Sequence, residues 1–196
     1  MKEFFWLEIK NVNLIVCINY ILNTKMSDCI QLEEGWSEMI QPNIDRLVHV
    51  VWNNSTEHTL DNKTYMTIFS AVYTMCEQEP PHNYSNQLYE RYKQTVEQVF
   101  KDNIIPHLDI APESGITSPI KKQWSLFCIF IKWMKSFFSY LDRFHTKRHG
   151  LPGLQETGYA VFKDYLRQHL SEEIISEFIW IEKPNWQMNA SPPHFV

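Results

Sequence analysis

Trp124-Ser-Leu-Phe-Cys-Ile-Phe-Ile-Lys-Trp-Met-Lys-Ser-Phe-Phe-Ser-Tyr-Leu-Asp-Arg-Phe144 is the stretch on which the fold class turns. Wound into a helix, its Trp124, Phe127, Phe130, Ile131, Met134, Phe137, Phe138, Leu141 and Phe144 cover nearly the whole circumference. A helix that is apolar all round belongs inside a bundle or a bilayer. Lys132, Lys135, Asp142 and Arg143 speak against the bilayer, since each charge at the centre of a spanning helix costs ~2.5–3.5 kcal/mol. A central helix is therefore expected over about residues 120–147, in a monomeric all-α bundle.

Its neighbours are amphipathic. Tyr65, Ile68, Phe69, Val72, Tyr73 and Cys76 recur at i, i+3, i+4, i+7, i+8 and i+11, which predicts a helix over residues 62–78 with Asp61 as N-cap. Glu79-Pro-Pro-His82 stops it. Ser85 opens the next, whose stripe is Leu88, Tyr92, Val96, Val99 and Phe100, ending before Pro106. The first helix, residues 32–52, buries Trp36, Ile40, Leu47, Val50 and Val51, and Pro42 should kink or split it. Ala111–Pro119 reads as a loop. Gly150-Leu-Pro-Gly153 ends the central helix, and residues 154–170 follow with Phe162, Tyr165 and Leu166 inward. Ser171, with Glu172 and Glu173 in the first turn, restarts a helix, and the text after Lys183 is tail.

Composition agrees with this class. Five Gly among 196 residues leave little room for Gly-rich phosphate loops or an all-β fold, and a 44% hydrophobic fraction is too high for bulk disorder. The net charge of −5 lacks the basic footprint of a nucleic-acid binder. Phe4–Leu22 is apolar but broken by Glu8, Lys10, Asn11, Asn13 and Asn19, and no small-residue cleavage site follows, so neither a signal segment nor a membrane span is expected. Cys17, Cys29, Cys76 and Cys128 have no CxxC partners and read as reduced, intracellular thiols.

Searching for chemistry returns little. No Walker loop, GxGxxG, HExxH or GxSxG motif occurs. His145 and His149 stand at i, i+4, but Lys147 and Arg148 flank them at a helix end where cations suit the macrodipole, and a zinc site needs further ligands. Cys76 and His82 are separated by Pro80-Pro81 and have no evident orienting acid, although a small hydrolase would use such a pair. The chain reads as a non-enzyme without metal or cofactor. Tyr65, Met66, Phe69 and Tyr73 on the second helix exceed what a two-turn stripe needs for burial; they fit an interface or an ordinary core.

Thr64-Tyr-Met-Thr-Ile-Phe-Ser-Ala-Val-Tyr-Thr-Met-Cys76, continuing through Glu77-Gln-Glu-Pro-Pro-His-Asn-Tyr-Ser-Asn-Gln-Leu-Tyr89, resembles the N-terminal repeat of a cullin. More narrowly, it is similar to the plant form of the cullin that scaffolds SCF ubiquitin ligases. Leu32-Glu-Glu-Gly-Trp36, Phe137-Phe-Ser-Tyr-Leu-Asp-Arg-Phe144, Leu151-Pro-Gly-Leu-Gln-Glu-Thr-Gly158 and Phe162-Lys-Asp164 extend the likeness in order. It divides the chain into a divergent extension (1–31), one repeat (32–181) and a tail (182–196). Met1–Cys29, Pro42 and the Ala111–Pro119 loop depart from the family pattern, and the later repeats, the RING-recruiting region and the neddylation lysine are absent.

The resemblance implies a five-helix bundle that binds a Skp-family adaptor carrying an F-box protein, in the cytoplasm and nucleus. Matched by motif position, the partner-binding residues would be Tyr65, Met66, Phe69 and Tyr73, with Tyr140 and Arg143 from the central helix. Tyr65, Met66 and Phe69 are then expected as an outward patch beside the buried Ile68–Val72 line. Without the RING-binding half, such a chain would compete with a full-length scaffold. Two other readings stand beside this: a helical-repeat interaction module outside ubiquitin transfer, such as a tethering-complex subunit, and a gene fragment that does not fold.

Overall fold

Helix propensity and apolar stripes leave few arrangements open, and a computed structural model, which describes residues 29–53, 61–108 and 117–169, displays one of them. All regular elements among those residues are helical. They form five rods: α1 (32–53), α2 (Asn62–Glu77), α3 (Ser85–Asn103), α4 (117–149) and α5 (Leu154–His169), with a 3-10 turn at Ile105–His107 after α3. The expected all-α five-helix bundle is the observed architecture. The extension up to residue 28, the Ala111–Pro119 loop except for its last residues, the restart at Ser171 and the tail lie outside the described residues.

α4 sits in the middle as its sequence requires. Phe127, Phe130, Ile131, Met134, Phe137, Phe138 and Leu141 are fully buried. α4 packs on α1, α2 and α5, and its C-terminal part also meets α3. Rings from every other helix close on it: Trp52 of α1 on Phe130 at 5.7 Å, Tyr65 of α2 on Phe137 at 6.1 Å, Tyr92 of α3 on Phe138 at 5.5 Å, and Phe162 of α5 on Trp124 at 5.0 Å. Edge and tilted contacts at these distances add about 0.5–1.5 kcal/mol per pair beyond area burial. The Tyr92 hydroxyl, wholly buried, donates to the Leu154 carbonyl at 2.8 Å and so escapes the penalty of an unpaired group.

Two expectations about the helices need amending. Pro42, expected to kink or split α1, does not split it. The rod continues through it, and a π-helical segment, Gly35–Ile40, lies immediately ahead. A proline removes one amide donor and crowds the carbonyl four residues back, and a wider turn on that side relieves the crowding. Pro42 itself faces solvent, and Ile44, which the apolar stripe did not include, is fully buried.

Phe144 is the second correction: expected in the core, it is 56% exposed. A second π-helical segment, Leu141–His145, explains it. The wider turn keeps residue i+4 nearly under residue i and leaves i+3 roughly a third of a turn to the side. His145 therefore takes the inward position beneath Leu141, and Phe144 turns outward.

The ends follow local chemistry. Asp61 caps α2, accepting from the Thr64 amide at 2.8 Å; hydrogen bonding from the Thr64 side chain, and then from its amide, holds the carboxyl below the usual carboxylate range. Gly150 closes α4 at φ +62°, with the Leu151 amide reaching back to the Thr146 carbonyl at 2.9 Å. Ahead of α1, Ile30 is fastened to the α2–α3 turn. Its amide donates to Gln78 Oε1 at 2.6 Å, and Gln78 Nε2 donates back to the Ile30 carbonyl at 3.1 Å. Gln31 is tied to the same region, its Oε1 accepting from the Tyr84 hydroxyl at 2.9 Å. At Gly158, α5 approaches α4 so closely that a Cβ would stand 2.5 Å from Ile131 Cδ1.

Candidate partner-docking face

α2 turns one side, Ile68, Ala71, Val72 and Met75, fully inward, and the next side carries Tyr65, Met66, Phe69 and Tyr73. The outward patch is only half outward: all four side chains are partly buried. Tyr65, Phe69 and Tyr73 stand at i, i+4 and i+8, and their rings stack in sequence at 6.1 and 6.5 Å with interplanar angles of 16° and 17°. Tyr65 leans on the buried Phe137, which fixes the row against the core.

The row continues onto α4. Tyr73 meets Tyr140 edge-on at 4.9 Å, and Tyr140 meets Phe144 at 4.6 Å. The Tyr140 hydroxyl donates to Glu77 Oε1 across the two helices. Partial burial, and then the neighbouring carboxylate, push the Tyr140 phenol upward, so it remains a neutral donor at all ordinary pH. Tyr65, Phe69, Tyr73 and Tyr140 therefore form one surface. Arg143 is exposed a turn further on. Phe144 is the member that sequence reading missed, because its spacing places it on the core face unless the π-helical turn is known.

The other candidates are arranged differently. Cys76 is buried, and burial pushes its thiol up to about 11, away from the thiolate a nucleophile needs. His82 pairs through Nδ1 with the Tyr84 hydroxyl at 3.3 Å. Cys29, Cys76 and Cys128 are free thiols. His145 and His149 have ring centroids 4.6 Å apart, yet no group of three or more His, Cys, Asp or Glu suited to a metal ion occurs among the described residues. No helix among them is long and apolar enough to cross a membrane.

The chain is thus an all-helical bundle with a half-exposed aromatic seam, and comparison with known proteins says which family it belongs to. Residues 21–182 match the cullin family, in its description the cullin alpha solenoid domain, so this chain belongs to the cullin family. The matched span starts ahead of Leu32, inside the segment the sequence reading set apart. Among curated proteins the chain is 33% identical over 150 residues to Cullin-1 of Oryza sativa subsp. japonica, covering 76% of this chain and 20% of that protein. It is 30% identical over 142 residues to Cullin-2 of Arabidopsis thaliana, covering 72% of this chain and 19% of that one. Against Cullin-like protein 3 of Arabidopsis thaliana it is 24% identical over 163 residues, 82% of this chain and 62% of the relative. The chain thus spans about a fifth of the length of the first two. No solved structure matches.

Proposed function

We propose that this chain is a non-catalytic scaffold module of an SCF-type ubiquitin ligase, and that the seam between α2 and α4 docks a Skp-family adaptor carrying an F-box protein. The observation that supports this is the continuous aromatic row Tyr65–Phe69–Tyr73–Tyr140–Phe144, anchored on Phe137 and open to solvent at its far end. Tyr and Met supply large contact area with a polar or adaptable edge, which is why they dominate interface centres. Membership in the cullin family supports the partner class, because the family docks its adaptors on the second helix of this repeat and a later one. The module works in the cytoplasm and nucleus, and the 196-residue chain competes with a full-length scaffold for the same adaptor.

The test is calorimetric titration of the 196-residue chain with a purified adaptor–F-box complex. Truncating interface anchors costs about 2 kcal/mol or more each, without simple additivity. Tyr65→Ala with Met66→Ala should abolish measurable binding while the helical circular dichroism stays in place and the melting temperature falls only modestly, the loss expected from removing the Tyr65 contact with Phe137. Unchanged affinity would refute the docking reading. Loss of structure would assign both side chains to the core, which refutes it equally.

A further inference from the structure

The outer face of α4 carries a second chemistry beside the rings. Arg143, Phe144, Lys147 and Arg148 follow Tyr140 within about two turns of α4, and the Phe144 ring meets Tyr140 at 4.6 Å. Tyr140 is half-buried, and from Arg143 onward all of them are exposed. Among the described residues none of Arg143, Lys147 and Arg148 is in an ion pair; those present join Arg91 to Glu33, Lys93 to Glu90, Lys135 to Asp142 and Arg167 to Asp164. Two neighbouring carboxylates have other partners. Glu77 receives the Tyr140 hydroxyl, and Asp142 turns away to the Leu154 amide at 2.8 Å and Lys135 at 3.9 Å.

The helix dipole accounts for Lys147, Arg148 and His149 in the last turn, but its influence fades within that turn. Arg143 lies ahead of it, in the π-helical segment. Among the described residues, three cations in no ion pair thus stand within four positions of the exposed Phe144 in the sequence, in a chain whose net charge is −5. Exposed single charges add little to affinity. They act instead on encounter, raising the association rate of an oppositely charged surface in a salt-dependent way.

Resting on the docking reading above, we infer that Arg143, Lys147 and Arg148 form a basic rim to the aromatic seam, steering in a partner whose docking segment sets carboxylates beside an apolar anchor. The rim sets the on-rate and the seam sets the off-rate.

Biolayer interferometry of the 196-residue chain against the adaptor–F-box complex, over a series of salt concentrations, separates the two. The variant Arg143→Gln, Lys147→Gln, Arg148→Gln changes exposed side chains only and should melt like the parent. Its association rate at low salt should fall by about tenfold, with a flattened salt dependence and a dissociation rate within about twofold of the parent. Tyr65→Ala with Met66→Ala should act on dissociation instead. If the parent binds and the triple variant keeps its association rate and salt slope, the rim is refuted and the docking reading survives. If the parent does not bind, both fall. Binding of phosphatidylserine vesicles or an RNA oligonucleotide that the triple variant loses, with adaptor kinetics unmoved, assigns the cations to another partner and overturns the inference.

Discussion

Replacing Gly158 by alanine pits two effects of known size against each other. In a helix interior, Gly→Ala ordinarily stabilises by about 1 kcal/mol, because alanine loses less backbone entropy. Here the new Cβ would stand 2.5 Å from Ile131 Cδ1 and 3.1 Å from both Cγ1 and Cγ2. Carbon atoms rest at about 3.5–4.0 Å, so the isoleucine must retreat by about an ångström. It is fully buried and β-branched, with little freedom at χ1, so two of its three crowded atoms cannot simply rotate away. Overpacking of this kind costs ~1–3 kcal/mol. The clash should win, leaving Gly158→Ala destabilised by about 1 kcal/mol, or ~2–4 °C in melting temperature for a chain of this size. Ile131→Val removes the nearest methyl. Alone it should cost ~0.5–1.5 kcal/mol, but in the Gly158→Ala background it should cost less, giving a coupling above ~0.5 kcal/mol. Urea unfolding of the four proteins, followed by circular dichroism, measures the cycle. A stabilised Gly158→Ala, or a cycle that closes additively, would refute close α4–α5 packing at this point.

Phe137 is fully buried under Tyr65 and Trp133, so Phe137→Ala should lose ~3–5 kcal/mol, enough to unfold a domain of marginal stability; parent-like thermal melting would contradict the central position of α4. His145 is buried with Nε2 unpartnered, and burial, followed by His149 and Arg148, holds its pKa below the ordinary value. The unfolded chain then binds the extra proton first, so stability should fall as pH drops through about 6.5 towards the folded value; urea midpoints at about pH 7.5 and about pH 5.5 should diverge less in His145→Gln, and an equal divergence would clear His145 of the effect.

Much of this protein was legible in its sequence because it depends on near neighbours. The 3.6-residue period of residues 65–76, the Asp61 cap, the Gly150 stop and the all-round apolar surface of α4 are local properties, and each reappears in the structure. The motif string also named the family, since several short motifs in register survive substitutions elsewhere. The path of α1 through Pro42 and the outward turn of Phe144 were not legible. Both involve π-helical segments, which shift the phase of a helix by one residue and break the 3.6-residue period from which a face is read. The aromatic seam divides along the same line. Tyr65, Phe69 and Tyr73 share a face by spacing alone, but only the crossing of α2 and α4 brings Tyr140 against Tyr73, lets its hydroxyl reach Glu77 and adds Phe144 to the row. Sequence fixes which side chains share a helix face; tertiary packing decides which faces meet, because that choice depends on contacts between residues sixty or more positions apart.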